Sequence, residues 1–403
     1  MDVRTGAPFW LRRGGIPRSY PTLREDISAD VVIVGAGITG ALVAYELSGR
    51  GIDIVVVDRA DVATASTAAS TGLLQYDTDS SLRELSTSIG EAGAVRAYHA
   101  GQRAIDHLER VTNELRRSCG FARRPTVYFA STKRDVPRLE EEFEARRRHG
   151  FAVEWLTKAG LADRCGIAAP AAIVAHGAGE VDPYRLTHAL LARCEQRGVR
   201  IFDRVAVSTP SRDGERSMLR TDRGHSISAT HVVWATGYEA EDMVHKTTAQ
   251  LASTWVVVSE PLEHFRGWWR RALLWETARP YVYVRSTDDG RLLIGGEDEP
   301  CAECHRSPWW FRTKSRRLLE RARRLFPQFD IDMAYAWAGT FATTTDGLPY
   351  VGQVRERPGV WFAMGYGGNG ITFSVVASWI IRDGITGVPN ADASLFGFDR
   401  PKA

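Results

Sequence analysis

The clearest chemical signal in the sequence is a G-x-G-x-x-G pattern at residues 35–40, directly after the apolar run 31–34. Such a turn lets a pyrophosphate approach the backbone, and the first N–H groups of the next helix face its charge. A second apolar run, residues 54–57, ends in Asp58, where a carboxylate that binds a ribose hydroxyl is expected. The spacing therefore predicts a strand, a helix over 38–48 and a second strand that together bind a dinucleotide.

A second group of side chains with chemical potential lies in residues 281–294. This run reads as two strands joined by a turn at Asp289 and Gly290. Side-chain alternation then places Tyr281, Tyr283 and Arg285 on one face of the first strand. These three residues are candidates for binding a substrate, and the alternative that they form the outer face of an amphipathic strand stays open.

Composition restricts the class of protein. The chain has 403 residues, of which 44% are hydrophobic and 25% charged, so we expect two packed globular domains. A formal net charge of +3 is small for this length and predicts no nucleic-acid partner. Basic residues at helical spacing in 312–324 predict an amphipathic helix with a solvated basic face. No apolar run is long enough to predict a membrane span.

The cysteines require a separate interpretation, because Cys301, Cys304 and His305 spell C-x-x-C-H, the attachment pattern of a c-type haem. Residues 296–300 read as a polar surface loop, and residues 1–23 contain no apolar signal region. We therefore expect a cytoplasmic protein with reduced thiols, no haem and no metal site. A coincidental pattern is favoured, and a zinc or redox role stays open.

Strands that end in small residues recur along the chain. Residues 231–237 form an apolar run ending in Ala-Thr-Gly, and residues 359–382 read as a strand, a glycine turn and a helix. Elements typical of dinucleotide binding thus occur at the start, middle and end of the sequence. We predict a discontinuous nucleotide-binding domain into which a second domain is inserted. The predicted nucleotide-binding domain consists of residues 29–121, 165–250 and 337–390. Residues 122–164 and 251–336 form the predicted substrate domain. Residues 1–28 are an N-terminal extension and residues 391–403 a C-terminal tail.

Several motifs beyond the glycine turn carry a family resemblance. They are residues 65–74 (ASTAASTGLL), 182–184 (DPY), 235–237 (ATG), 345–349 (TDGLP) and 367–372 (GGNGIT). With them the chain resembles, over about residues 29–387, the flavin-dependent D-amino-acid oxidase superfamily, which includes glycine oxidase, sarcosine oxidase and γ-glutamylputrescine oxidase. The resemblance implies an α/β fold: a discontinuous Rossmann-type FAD-binding domain with an inserted α+β substrate domain built on a mixed or antiparallel sheet. FAD would be bound extended, with its ring at the domain boundary.

The resemblance also implies which residues bind FAD. Asp58 resembles the ribose ligand, although the family more often has Glu there, and Arg59 would lie near the adenine. Several relatives attach flavin covalently through a Cys or His. The corresponding late position here is Gly339, and the early segment, residues 63–74, contains neither Cys nor His. Non-covalent FAD is therefore expected. The complete predicted set is Gly35, Ala36, Gly37, Ile38, Thr39, Gly40, Asp58, Arg59, Ser66, Thr67, Thr71, Gly72, Leu73, Val207, Thr236, Gly237, Gly339, Gly370, Ile371 and Thr372.

For the substrate, the resemblance implies an arginine and one or two tyrosines that bind a carboxylate through paired hydrogen bonds. Arg285 and Tyr283 match this arrangement by region. Gln75 follows the flavin segment and Tyr366 lies in the last glycine turn. Asn369 and Thr372 occupy positions where sarcosine oxidase-like relatives carry His and Lys, which puts a simple N-methyl amino acid in doubt.

The implied activity is oxidation of the C–N bond of a small-molecule amine or amino acid. Hydride transfer to flavin N5 gives an imine that hydrolyses, and O₂ or another acceptor reoxidises the flavin. Lys246 is the nearest lysine to a position that promotes the O₂ reaction in some relatives, but it reads as a surface residue. The alternative is a subunit of a hetero-oligomeric dehydrogenase or a non-catalytic flavoprotein, with Trp268, Trp269, Trp309 and Trp310 at a protein interface. Neither the individual substrate nor the oligomeric state follows from the sequence.

Overall fold

The structure is a computed structural model and describes residues 3–244 and 249–400. The predicted surface position of Lys246 lies outside these residues. In chain order the strands are β1 Arg4–Gly6, β2 Ile27–Val34, β3 Ile54–Val57, β4 Leu73–Leu74, β5 Ala122–Phe129, β6 Val153–Thr157, β7 Ala171–Glu180, β8 Arg200–Phe202, β9 Ser211–Asp213, β10 Arg216–Arg220, β11 Ser226–Trp234, β12 Ala249–Pro261, β13 Leu273–Glu276, β14 Val282–Ser286, β15 Arg291–Glu299, β16 Met333–Thr344, β17 Tyr350–Gln353 and β18 Val360–Met364. The α-helices are α1 Phe9–Gly14, α2 Ile38–Leu47, α3 Ser66–Ala69, α4 Leu82–Ile89, α5 Glu91–Leu115, α6 Val136–Arg148, α7 Lys158–Cys165, α8 Pro183–Gln196, α9 Pro308–Leu325, α10 Gly370–Thr386 and α11 Ala393–Phe396.

The smaller of two sheets positions the glycine turn. Its strand order is β17-β18-β11-β2-β3-β8, with β10 beside β11 and β9 beside β10. The strands from β18 to β8 run parallel, and Val34 is in register with both Val57 and Trp234. The carboxyl ends of these strands therefore meet at one edge, where ligands bind in open α/β sheets. Apolar side chains fill β2 and β3 because both faces of a parallel sheet are covered.

The larger sheet has ten strands in the order β1-β16-β12-β15-β14-β13-β5-β7-β4, and β6 pairs with β7. Its pairs are antiparallel except β5 with β13, which are parallel. Helix α9 covers one face, where Leu318 and Phe326 pack with Trp255. The predicted hairpin turn at Asp289 and Gly290 joins β14 to β15. The two sheets confirm the predicted α/β fold with a mixed sheet.

The positions of individual segments refine the predicted domain division, which stays a prediction. Strand β7 lies in the larger sheet, although the predicted boundary assigned residues 165–250 to the nucleotide domain. The N-terminal extension is part of the fold, because β1 pairs with β16 and both Phe9 and Trp10 are 1% exposed. Helices α4 and α5 are separated at Gly90, which has a φ of 81°.

One surface prediction was wrong and another held only in part. Residues 296–299 are the end of β15 rather than a surface loop, and Gly296 and Glu297 are buried there. The basic face of α9 is only partly solvated, because Lys314 is 1% exposed and its Nζ lies 2.6 Å from Glu299 Oε1. Of the four tryptophans considered for an interface, Trp309 is 60% exposed, Trp268 is buried, and Trp269 and Trp310 are half-buried.

The cysteines also differ from expectation. Cys301 and Cys304 form a disulfide with their Cα atoms 5.5 Å apart, so these two thiols are not reduced. Cys119, Cys165 and Cys194 are free and buried. Within residues 3–244 and 249–400, no group of acidic, histidine and cysteine side chains could hold a metal ion. None of the helices in the described part of the chain is both long enough and apolar enough to cross a bilayer.

Candidate functional site

The turn between β2 and α2 has little room for anything but glycine. Gly35 has a φ of 105°, and a Cβ there would lie 2.5 Å from the Ala235 carbonyl oxygen. A Cβ on Gly40 would lie 1.9 Å from the Gly35 carbonyl oxygen. The helix therefore starts directly against the edge of the sheet, and its first N–H groups face the space beyond the strands. The Thr67 hydroxyl accepts a hydrogen bond from the Ile38 N–H at 2.9 Å.

That space is a cavity of about 440 Å³ that extends from the glycine turn to the ten-stranded sheet. We call it the central cavity. It brings together residues that the sequence placed far apart, from both sheets and from the starts of α2 and α10. The predicted site residues that line it are Gly35, Gly37, Ile38, Thr39, Asp58, Arg59, Ser66, Thr67, Thr71, Leu73, Gln75, Val207, Thr236, Gly237, Tyr283, Gly339, Tyr366, Asn369, Gly370 and Ile371.

Five predicted residues lie behind the cavity wall rather than on it. Ala36, Gly40, Gly72 and Thr372 border the lining residues in sequence without contributing surface to the cavity. Ala36 still takes part through its backbone, because its N–H donates to Asp58 Oδ2 at 2.7 Å. The fifth is Arg285.

Arg285 differs most from its predicted role as a substrate anchor. Its Nη1 donates to the carbonyl oxygens of Thr71, Gly72 and Val181 at 3.0, 2.8 and 2.9 Å. Its Nε lies 3.5 Å from Glu180 Oε2, and the residue is only 2% exposed. The guanidinium has no free face toward the cavity, because the segment 71–72 lies over this end of β14. Arg285 therefore holds cavity-lining backbone in place and does not line the cavity itself.

The other predicted substrate residues occupy three different places. Tyr283 lines the cavity with its ring centroid 6.0 Å from that of Tyr281. The side-chain amide of Asn369 donates to the carbonyl oxygens of Gln75 and Asp77, both at 2.9 Å, so it fastens this segment. Tyr366 places its hydroxyl near those of Thr39 and Ser374 at the starts of α2 and α10, and burial raises its pKa to about 12.

Asp58 lies at the nucleotide side of the cavity. Its carboxylate accepts hydrogen bonds from the N–H groups of Ala36 at 2.7 Å and Ala60 at 2.9 Å, and burial raises its pKa. These bonds leave further lone pairs for hydroxyl donors such as those of a ribose. Arg59 is paired with Glu239 at 2.7 Å, across the same end of the cavity.

Sequence reasoning missed the acidic residues at the opposite end. Asp79, Trp275, Tyr281, Tyr283 and Asp298 line the cavity where it meets the ten-stranded sheet, and we call this part the acidic chamber. Tyr281 had been placed on this face by alternation. Asp298 was assigned to a surface loop because of its polar neighbours. Simple alternation along β15 would place it on the face of Leu292 and Ile294, which packs with α9. Glu297, with a φ of 60°, breaks the alternation, so that Asp298 lines the cavity instead.

A buried ion network supports the segment leading into the chamber. Arg146 is fully buried, with Nε 2.7 Å from Glu142 Oε1 and Nη1 3.3 Å from Asp77 Oδ1. Glu142 also accepts the N–H groups of Leu82 and Arg83 at the start of α4. The network therefore connects α6, α4 and the cavity-lining residue Asp77.

The cavity fits an extended dinucleotide carrying a flavin. Its nucleotide end has the close-packed glycine turn. Two buried polar atoms of the lining, the Thr236 hydroxyl and, beside the chamber, the Gln75 amide nitrogen, have no protein partner. Such unsatisfied polar atoms are expected where a ligand completes the hydrogen bonding. Among the described lining residues there is neither Cys nor His to attach a flavin. The residues present thus match the cofactor implied by the motifs.

Comparisons with known proteins agree with this architecture. Glycine oxidase of Geobacillus kaustophilus is 26% identical over 374 residues, covering 88% of this chain and 92% of that protein. Gamma-glutamylputrescine oxidoreductase of Escherichia coli is 25% identical over 381 residues, covering 91% and 86%. The crystal structure of the Geobacillus glycine oxidase superposes with a TM-score of 0.80 at 22% identity, covering 93% of this chain and 100% of that one, which shows a shared fold. The family model for FAD-dependent oxidoreductases known as DAO matches residues 30–383, and the chain therefore belongs to this family of FAD enzymes.

Proposed function

We propose that this enzyme oxidises the C–N bond of an amine or amino acid to an imine, which water then hydrolyses to a carbonyl compound. The observation that carries the proposal is the continuity of the central cavity. It joins a dinucleotide turn to a chamber walled by Trp275, Tyr281 and Tyr283. When bound, FAD would accept the hydride equivalent at N5.

The protein's own residues supply position and environment. The reacting amine must be neutral. An alkyl amine of ordinary pKa is protonated at neutral pH, and its deprotonation there costs about 4.6 kcal/mol of free energy. Aromatic walls disfavour the ammonium form by desolvation and offset part of this cost. Gln75 and Asn369, fastened together beside the chamber, border the space a substrate would occupy.

We propose non-covalent FAD binding through the cavity-lining residues, with Asp58 as the ribose ligand. The glycine turn, Thr236 and the start of α10 at Gly370 and Ile371 support this assignment, because all of them line the cavity. Helix α10 has no side-chain cap at its start, so its first N–H groups are available to a ligand that gains negative charge on reduction. Reoxidation would use O₂ or another electron acceptor.

Anaerobic reduction tests the function directly. The purified holoenzyme, mixed without oxygen with amino acids, N-methyl amines and polyamines, is expected to lose its flavin absorbance with at least one class. A control without substrate should keep its colour. Absorbance that persists against every amine would contradict the proposal.

The second candidate, a subunit or non-catalytic flavoprotein, is favoured by one observation, the 60% exposure of Trp309 beside the half-buried Trp310. It predicts that the isolated chain stays oxidised with all amines and gains turnover only with a co-purifying partner. Reduction of the isolated chain by an amine distinguishes the two candidates.

A further inference from the structure

The central cavity carries an excess of negative charge. Five carboxylates line it, from Asp58, Asp77, Asp79, Glu239 and Asp298. Among the described residues, Arg59 is the one Lys or Arg side chain in the lining. Buried carboxylates require a counter-charge or hydrogen-bond donors, so each of the five calls for an identified partner.

Three of the five are compensated by the protein. Glu239 pairs with Arg59 at 2.7 Å, and Arg146 approaches Asp77 at 3.3 Å. Asp58 accepts two backbone N–H groups. The remaining two, Asp79 and Asp298, both belong to the acidic chamber.

Asp79 and Asp298 have no cation of their own in the chamber. Asp79 accepts the Tyr281 hydroxyl at 3.0 Å and the Gly368 N–H at 2.7 Å. Asp298 has its Oδ1 buried without a hydrogen-bond partner. Two carboxylate residues thus line a space that is also lined by Trp275, Tyr281 and Tyr283.

The nearest protein cations are used elsewhere. Lys314 lies against Glu299 at 2.6 Å and Glu297 at 3.5 Å. Arg279 is exposed and outside the cavity lining; its Nη2 donates to the Asp79 backbone carbonyl oxygen at 3.4 Å, and its guanidinium lies over the Tyr281 ring, 5.1 Å from its centroid. A guest cation would therefore lie among two carboxylate residues and three aromatic side chains, a set of groups that can bind an ammonium ion.

We propose that the acidic chamber binds a second, charged ammonium group of the substrate, so that the enzyme oxidises diamines or polyamines in preference to monoamines and amino acids. This inference rests on the proposed amine oxidation and names its substrate class. One nitrogen is neutral and reacts, while the other stays protonated between Asp79 and Asp298. A substrate carboxylate in the same place would face two like charges without an arginine or lysine from the described lining.

The titration of Asp298 agrees with an unfilled cation site. Burial, and then the Asp79 carboxylate, raise the pKa of Asp298 to about 7, while Thr254, Lys314 and Arg279 act in the opposite direction. Tyr281 and Tyr283 also face this group and stay neutral, because burial raises their pKa values. An ammonium in the chamber would lower the pKa of Asp298, so binding near neutral pH should release a proton.

Three probes of similar length test the inference on the holoenzyme: putrescine, n-butylamine and γ-aminobutyrate. Dissociation constants are measured anaerobically from perturbation of the flavin spectrum, and reduction rates from its bleaching. Putrescine is expected to bind about 10- to 100-fold more tightly than butylamine, the value of one charged hydrogen-bonded contact. γ-Aminobutyrate should bind no better than butylamine. Equal binding of putrescine and butylamine, or tighter binding of γ-aminobutyrate, would overturn the inference.

Asp298→Asn is the variant that isolates the charge. It should lower the putrescine-to-butylamine preference to within a few-fold, and Asp79→Asn should act in the same direction. The control is Asp332→Asn, an exposed carboxylate paired with Arg323 at 2.9 Å, which should retain the preference. An Asp298→Asn protein with unchanged preference counts against the inference.

A stability measurement gives a readout independent of turnover. The pKa of Asp298 in the folded protein, about 7, lies above its unfolded value, so the wild type should lose stability as pH rises toward 7. Asp298→Asn should remove that loss, and its melting temperature should exceed the wild type's more at about pH 8 than at about pH 5. Identical pH profiles would show that the carboxylate is already compensated, contrary to the inference.

The outcomes for function and specificity are separable. If no amine reduces the flavin but putrescine still binds preferentially, the proposed oxidation fails and the cation site stands. If butylamine or an amino acid reduces the flavin as well as putrescine does, the oxidation stands and the cation site fails.

Discussion

At the scale of single residues, buried cations in this protein hold backbone segments that border the central cavity. Arg285 binds three carbonyl oxygens on segments 71–72 and 181. Arg146 connects the cavity-lining Asp77 to Glu142, which also accepts the N–H groups of Leu82 and Arg83. Because each guanidinium has several fixed donors, it can organise a loop where a lysine would satisfy fewer acceptors.

Replacing Arg285 with Met should therefore reduce folding stability. The change leaves buried carbonyl oxygens without donors, so we expect a loss of roughly 3 kcal/mol in the free energy of unfolding. Glu180 would still pair with Arg124 at 2.8 Å, so its carboxylate would not lose all of its counter-charge. Urea unfolding measures the effect, and Arg316→Met, at an exposed position, should stay within about 0.5 kcal/mol of wild type. If the variant kept wild-type stability but had a raised KM for acidic amines only, the result would support Arg285 as the substrate anchor.

At the scale of elements, the site depends on how closely helices approach the ends of parallel strands. A three-residue turn joins the end of β2 at Val34 to the start of α2 at Ile38, and α2 packs against α10 and α8. The starts of α2 and α10 thus both reach the cavity. Each contributes N–H groups rather than charged side chains, which suits the anionic parts of a dinucleotide.

Gly40→Ala tests the approach of helix and strand. The new Cβ would lie 1.9 Å from the Gly35 carbonyl oxygen, which is backbone and cannot rotate away. We expect a loss of about 1–3 kcal/mol or more in stability together with reduced flavin content, measured by unfolding and by the ratio of flavin to protein absorbance.

Gly93→Ala is the matched control, since Gly93 also lies inside a helix but its Cβ would have ordinary contacts at 3.4 Å. There the gain in helix propensity, about 0.5–1 kcal/mol, should leave stability equal or higher. A Gly40→Ala protein with full flavin content would show that the turn does not bind the nucleotide.

At the scale of the whole molecule, the central cavity is enclosed by segments from both ends and the middle of the chain. Gly339 on β16 lines it, and β16 is paired at the same residue with Arg4 of β1. Loss of the ligand should thus affect the stability of the whole fold. A ligand that binds only the folded state stabilises it by an amount set by its concentration relative to its dissociation constant.

Flavin removal should accordingly be reversible and destabilising. Acid precipitation of the yellow protein should leave flavin in the supernatant, because no Cys or His lines the cavity among the described residues. Returning FAD to the apoprotein at about a hundredfold excess over its dissociation constant should add about 2.7 kcal/mol of stability, seen as a higher melting temperature. Colour retained in the precipitate would contradict non-covalent binding.

Patterns within short segments predicted the parts of the fold that local geometry controls. The strand at residues 54–57 agrees with the structure, and the helix predicted over 38–48 extends to Leu47. Alternation in β14 correctly placed Tyr281 beside Tyr283. The same rule could not show that segment 71–72 covers Arg285, because nothing in the local sequence reports which distant backbone lies over a strand.

The sequence by itself therefore predicted the glycine turn, because backbone conformation and hydrophobic period are properties of neighbouring residues, and its motifs carried the resemblance that implied the family and FAD. Only the tertiary structure decided the electrostatics of the site. Asp79 and Asp298 meet through the pairing of β14 with β15 and the fold of the segment after β4, and both are polar residues in polar runs of the sequence. Burial and mutual repulsion distinguish Asp298 from an ordinary surface carboxylate, and these depend on which distant groups surround it.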